Sequence, residues 1–479
     1  MNTDNDQLLH KTAELVTRYL EQNQQSDQAI SDYHPATELE KLLTLVLPEE
    51  GCSEAELLAD IQRYLQYSVR TAHPHFMKQL YSGSSPAAIA GDWITTVTNT
   101  AAHTYQVSPV GTLMEQNLIR RLNQLIGFEQ GDGIMVTGGS NANQIALLCA
   151  LNQHWPSIKQ QGFQAIKPVL YVSDQCHYSY EKAVFTLGIG TDNMRAIESD
   201  EQCRMRPDAL VAQIQQDIED GLQPFFIGAT SGTTVAGAFD PLDTLADIAK
   251  RFDLWLHVDA AWGGPVLFSE QHKHLMQGVE WAHSVTWDAH KFMSAPLICS
   301  AVLLRDTGVL EAACSGGGSA YLFHPDENAA YNYGQKSLQC GRRVDSLKLW
   351  LDWRSKGTAG YRQQLESSMQ LAQYCRQTIT AHPKLHLLLE PDYLNLFFRY
   401  IPTLGTSTHD QRAIESLNLA ILDAMKQAGS FYVDYATIKG TLGIRLVLAN
   451  NQIRQTHLTA LLDEIVRLGD ALSSEILTN

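Results

Sequence analysis

No two of the eight cysteines are spaced as a CxxC pair; from Cys52 to Cys375 they stand singly, several inside apolar segments. That leaves no paired-cysteine zinc or dithiol motif and fits reduced core thiols. The 17 histidines include no HExxH spacing, so a zinc hydrolase has no ligand set to build on. No apolar run is long enough to cross a bilayer. Asp4 and Asp6 stand ahead of the first apolar run, where a signal peptide would be basic, so a cytoplasmic protein is expected. Basic residues are too few and too scattered for a nucleic-acid surface: 35 Lys and Arg against 52 Asp and Glu leave a net charge of −17. A local arginine can still override that diffuse field for an anionic ligand. Internal repeats and low-complexity segments are also missing.

What is there reads as a globular chain, 44% hydrophobic and 479 residues long, more than one core usually supports. The pattern predicts an N-terminal helical segment over 1–72, with helices at Gln7–Gln22 and Ser53–Ser68. A large domain over 73–360 and a smaller C-terminal α+β domain over 361–479 follow. In the large domain, short apolar strands at 133–136, 169–172, 225–228, 254–258 and 284–287 alternate with helices, which predicts an α/β fold with a mostly parallel, doubly wound sheet. A last strand at 299–304 follows too closely for a crossover helix and is expected to run antiparallel. After the first strand comes Thr137-Gly138-Gly139-Ser140-Asn141-Ala142-Asn143, opening an apolar helix. Free N–H groups and the helix dipole make such a turn an anion site, and as a bare pattern it serves a helix cap equally well. Ser315-Gly316-Gly317-Gly318 opens an irregular stretch to about Gln335, long enough to suggest a functional loop.

The chain is organised around Leu254–Lys291. Asp259 falls at the carboxyl end of one strand, and Trp287 ends another that delivers Asp288, His290 and Lys291 to the same rim, where open α/β sheets bind ligands. A carboxylate and an amine facing one pocket are what a pyridoxal cofactor requires: a lysine for the Schiff base and an acid to keep the pyridine nitrogen protonated.

The segments HVDAAWGG and WDAHK, with HPHFMKQLYSG, TYQVSPV, TGGSNANQ, HYSYEKA, ATSGTTVAGAFD and SLQCGRRVDSLKLWLDWRSKGTAGY, resemble the group II pyridoxal-phosphate decarboxylases, in particular the glutamate, cysteine-sulfinate and aspartate decarboxylase branch. The matches run in order from His73 to Tyr361 and continue more thinly to the C-terminus. The resemblance implies a fold-type-I, aspartate aminotransferase-like enzyme, a homodimer with its active site at the interface, pyridoxal 5'-phosphate as cofactor and no metal. It implies that Lys291 bonds the cofactor, Asp259 pairs with its ring nitrogen, and Ala261 lets the ring lie flat. His177 would stack on the ring, and Thr230 and Asp288 would line its edge. Gly139, Ser140 and His290 would hold the phosphate, with Gly341 reaching the partner's. The sequence departs from the family at Asp288, where many members carry asparagine. Tyr331 and Tyr333 are the candidates for the loop tyrosine that returns a proton to Cα.

On the substrate side the resemblance points to Gln79, Tyr81, His103 and Arg445. An arginine flanked by Ile444 and Leu446 in a strand is costly to bury without an anionic partner, and bidentate geometry suits a carboxylate. Tyr81 stands where glutamate decarboxylases keep a serine, which shortens the pocket. The expected reaction is α-decarboxylation of a short acidic L-amino acid, aspartate or cysteine sulfinate favoured and glutamate a further option. The rivals are a transaminase or lyase on the same fold, a decarboxylase of a non-acidic amino acid, and a catalytically silent binding protein.

Overall fold

Seven apolar segments pair into one sheet: β1 (Asp132–Val136), β2 (Pro168–Ser173), β3 (Met194–Ile197), β4 (Gln223–Thr230), β5 (Trp255–Asp259), β6 (Ser284–Asp288) and β7 (Ser300–Leu304). The computed structural model describes residues 3–25, 27–316, 322–323, 327–402 and 411–476. The strand order is β1-β7-β6-β5-β4-β2-β3. Pairing is parallel from β6 through β5, β4 and β2 to β3, and antiparallel where β7 joins β6 and β1. The α/β expectation is met, and so is the antiparallel last strand, because the stretch from Asp288 to Ser300 has no room for a crossover helix. β1, β2, β5, β6 and β7 are buried at every residue, as strands covered on both faces must be. β3 had no place in the sequence reading. It is a four-residue edge strand, mostly half-exposed, with too few apolar positions to signal itself.

The chain divides into two compact units. The sheet belongs to the unit formed by residues 84–369 and 391–394. There the Gly139–His154 helix packs across β4, β5, β6 and β7 with Ile145, Ala146, Leu147 and Ala150 buried. The helical stretch Ser346–Ala381 breaks at Gly357, whose φ of 65° and ψ of 172° are not helical. Its first turns bury Lys348, Leu349 and Asp352, and Lys348 Nζ is held 2.9 Å from Asp345.

The other unit comprises residues 1–83, 370–390 and 395–479. Strands β8 (Leu385–Leu389), β9 (Asn395–Tyr400), β10 (Asp434–Ile438) and β11 (Thr441–Val447) form an antiparallel sheet in the order β10-β11-β9-β8. The helix Glu54–Tyr67 starts at a capping box, Ser53 with Glu56, which satisfies two otherwise orphaned N–H groups. It packs on the helix Thr3–Gln22, and Lys11 pairs with Glu54 at 2.6 Å. Among the described residues no helix is long and apolar enough to cross a membrane.

Candidate active site

Neighbouring parallel strands end at one edge, and β4, β5 and β6 end there on Thr230, Asp259 and Asp288. Register sets Thr230 beside Asp259. All three are buried, Asp288 to 3% exposure. The turn after β6 carries His290 and Lys291. Lys291 Nζ lies 3.2 Å and His290 Nε2 3.7 Å from Asp288 Oδ2. On its other side His290 Nδ1 is 3.1 Å from the Cys299 carbonyl and 3.3 Å from Ser300 Oγ. Burial holds the His290 imidazole below its usual pKa, against the pull of Asp288.

The turn after β1 comes to the same edge. Gly138 takes a φ of 124°, a conformation that suits glycine, and the Gly139–His154 helix begins with no side-chain cap. A Cβ on Gly139 would lie 2.7 Å from Asp288 Oδ2, so the close approach of carboxylate and helix start requires glycine. Ser140 is exposed beside it. First-turn N–H groups and the helix dipole make this end attractive to an anion.

Beneath the edge runs a buried chain of polar side chains. The Trp255 indole, a donor only, gives its N–H to Ser284 Oγ at 2.8 Å, and Ser284 Oγ stands 2.7 Å from His257 Nδ1. Complete burial lowers the His257 pKa to about 3, so the ring is neutral with a single N–H. Asn143 gives its Nδ2 to the Asp259 carboxylate, so its Oδ1 must accept from the ring, and Ser284 donates to Nδ1. The ring N–H then lies on Nε2, 3.0 Å from Asn143 Oδ1, which also accepts from Thr286 Oγ1 at 2.7 Å. Asn143 Nδ2 is 2.8 Å from Asp259 Oδ2 and 2.9 Å from Ser179 Oγ. Asp259 Oδ1 accepts from Ala261 N at 3.1 Å. The series from Trp255 through Ser284, His257 and Asn143 leads to one carboxylate, with a side branch from Asn143 to Ser179.

His177, just past β2, is half-buried and accepts the Ser179 N–H on Nδ1 at 3.2 Å. Burial lowers its pKa, opposed by the charge of Asp259. Thr230 Oγ1 is buried and without a hydrogen-bond partner among the described residues, a hydroxyl left open at the strand end. Gly341 is exposed, with nothing within 4 Å of where a Cβ would be. The two loop tyrosines separate. Tyr333 packs into the core around the Gly139–His154 helix, where burial pushes its hydroxyl well above the usual pKa. Tyr331 is half-buried, its ring 5.5 Å from that of Tyr105. Their segment is tied to 103–105 by Gly334 N to the His103 carbonyl at 2.9 Å and Tyr105 N to Asn332 Oδ1 at 2.9 Å. Gly317, Gly318 and Pro325 of the same stretch lie outside the described residues.

Of the substrate-side candidates, His103 belongs to the unit of the large sheet, and Gln79, Tyr81 and Arg445 to the other. Arg445, 8% exposed, sits in β11 opposite Asp434 and Phe397. Its Nε has no partner among the described residues, and burial lowers its pKa. The segment carrying Gln79 and Tyr81 is fastened to the same strand by Val447 N to the Met77 carbonyl at 3.0 Å. Phe76 stands 6.3 Å from the Tyr81 ring.

Sequence reasoning passed over Asn143, Ser284 and Thr286, and read His257 only as part of a strand. A signal existed: Asn143 shares a helix face with Ala146, Leu147 and Ala150, and a polar residue on a buried face needs partners.

Residues 35–401 match the pyridoxal-dependent decarboxylase conserved domain. The human cysteine sulfinic acid decarboxylase is 39% identical over 467 residues, covering 96% of this chain and 94% of that protein. The acidic amino acid decarboxylase GADL1 of Bos taurus is 38% identical over 451 residues, 92% of this chain and 87% of its own. The crystal structure of mouse CSAD superposes with a TM-score of 0.94 at 36% identity, covering 97% of this chain and 98% of that one. An Oryza sativa TDC structure with pyridoxal phosphate and tryptamine has a TM-score of 0.90 at 23% identity over 98% and 99%, which speaks to the fold.

Proposed function

The chain belongs to the pyridoxal-dependent decarboxylases, and from that premise we propose that it removes the α-carboxylate of a short acidic L-amino acid, cysteine sulfinate or aspartate ahead of glutamate, as a homodimer. Bound pyridoxal phosphate supplies an electron-accepting ring for the pair released when the Cα–carboxylate bond breaks. The residues present fit that group: an amine on Lys291, an Asp259 carboxylate that accepts N–H groups on both oxygens, the small Ala261, the open hydroxyl of Thr230 and an uncapped helix start at Gly139 and Ser140.

In this reading Lys291 bonds the cofactor and Asp259 holds the proton on its ring nitrogen by a charge-assisted hydrogen bond. Ala261 leaves room for the ring, His177 covers its other face and Thr230 lines its edge. Gly139, Ser140 and His290 take the phosphate, and Asp288, pressed against Gly139, lies towards the phosphate end. Gly341, exposed in one copy, serves the site of a second. Tyr331, rather than the core-bound Tyr333, returns the proton to Cα.

The observation that carries the substrate class is Arg445, a buried guanidinium with an open Nε, together with the acidic substrates named for the relatives. Arg445→Ala should raise the KM for acidic substrates and leave cofactor absorbance as it was. Loss of a desolvated charge pair is worth about 2–5 kcal/mol, roughly 30-fold or more in kcat/KM. An unchanged kcat/KM would remove Arg445 from the site. Tyr81→Ser should lengthen the pocket and move preference towards glutamate by about 10–200-fold, the worth of one methylene in a shaped pocket. A wild-type chain that already prefers glutamate would end the size argument. The overall test is carbon dioxide release, with product identification, from cysteine sulfinate, aspartate, glutamate, diaminobutyrate and aromatic amino acids. Turnover confined to the last two, or a keto-acid product, would refute the reading.

A further inference from the structure

Asp288 is a buried carboxylate between two things that call for opposite charge. Its Oδ2 is paired with Lys291 Nζ at 3.2 Å, with His290 Nε2 at 3.7 Å. Its Oδ1 is buried without a hydrogen-bond partner among the described residues. The same carboxylate lies against Gly139, the first residue of the helix whose N–H groups and dipole favour an anion. Lys291 thus stands against one side of Asp288, and the positive end of the helix against another.

Cofactor loading changes that arrangement twice. Condensation of Nζ with the aldehyde forms a carbon–nitrogen double bond and expels water, with no oxidation or reduction. The nitrogen keeps at most one N–H in place of the three donors of an ammonium. A phosphate then arrives at the helix start, beside a carboxylate whose ammonium partner has given up at least two of its three donors. Two anions held in contact in a buried site do not both stay ionised. The groups facing Asp288 offer little relief. On its own turn are Lys291, now bonded, and His290, which burial holds below its usual pKa against the pull of Asp288. Just before β7 is Cys299, a thiol whose ionisation burial opposes, and β7 begins with the uncharged Ser300. Past β2 is His177, also pushed towards neutrality.

We propose that Asp288 takes up one proton from solvent when the cofactor binds and donates it to a phosphate oxygen, so that cofactor retention is tied to pH through this residue. The carboxyl O–H then fills the role of a neutral donor to phosphate, and the free Oδ1 is the atom available to carry it. The inference rests on Lys291 being the cofactor-bearing amine. One proton per site makes the dissociation constant rise about tenfold for each pH unit on the alkaline side.

The test measures pyridoxal phosphate binding to the cofactor-free full chain by calorimetry in buffers of differing ionisation enthalpy, from pH 6.5 to 9 (a range set by roughly the phosphate and amine ionisations). The 31P resonance of the bound phosphate is followed in parallel. The wild type should absorb about one proton more per site than Asp288→Asn. Its log Kd should climb with pH more steeply than that of the isosteric variant, by about one per pH unit, and the variant's affinity at pH 9 should be at least about tenfold tighter. Equal proton counts and parallel slopes, with normal cofactor absorbance in both, would overturn this inference alone. A wild-type chain that binds no pyridoxal phosphate would overturn the functional reading and this inference with it.

Discussion

Lys291→Ala should release no carbon dioxide and show no absorbance from covalently held cofactor, a loss beyond the roughly 10²–10⁴-fold that a positioned acid or base contributes. The side chain is an amine near a buried carboxylate, so its removal also has a structural cost. Asp288, 3% exposed in the wild type, keeps only the more distant His290 Nε2 at 3.7 Å of its two basic neighbours. Breaking a buried pair by deleting one partner costs about 3–5 kcal/mol, and less where one partner is partly exposed, as Lys291 is. The single variant should therefore melt lower than the wild type. The double variant Lys291→Ala with Asp288→Asn should regain that stability and stay inactive. Turnover near the wild-type rate in either would remove Lys291 from the mechanism. A double variant no more stable than the single would show that the pair carries no energy.

Asp259→Asn is the second large effect. Both carboxylate oxygens accept N–H groups, from Asn143 Nδ2 and Ala261 N. An amide offers one oxygen, so on one side N–H must face N–H. Asn143 cannot turn to compensate, because its oxygen is held by His257 Nε2 and Thr286 Oγ1. The variant should lose about 10²–10³-fold in kcat, the scale of removing one preorganised electrostatic contact. Cofactor should still be bound through Lys291, detectable by its absorbance. Rate and affinity both equal to the wild type would mean that the carboxylate serves some other purpose.

Lys291 and Asp259 were legible because strand-end positions follow from local pattern: each ends or follows a short apolar run, and the flanking segments carry the family resemblance. The support beneath them was not. Asn143 meets Asp259, His257 and Thr286 across 116, 114 and 143 residues of chain, contacts that exist only once the strand order is fixed. The two loop tyrosines, two positions apart, looked equivalent in sequence, and burial separated them: one belongs to the core, the other stands beside Tyr105. β3 escaped because a short edge strand needs no apolar signature. The paired Lys291 and Asp288 were quoted in one motif, yet the open Oδ1 that distinguishes this site is a property of its surroundings.

The division of the chain into two compact units has an evolutionary reading. Every residue assigned to the cofactor falls in one unit, whereas Gln79, Tyr81 and Arg445 fall in the other. His103, the remaining substrate-side candidate, shares the unit of the cofactor residues, so under the proposed function a change of substrate range can arise in either unit.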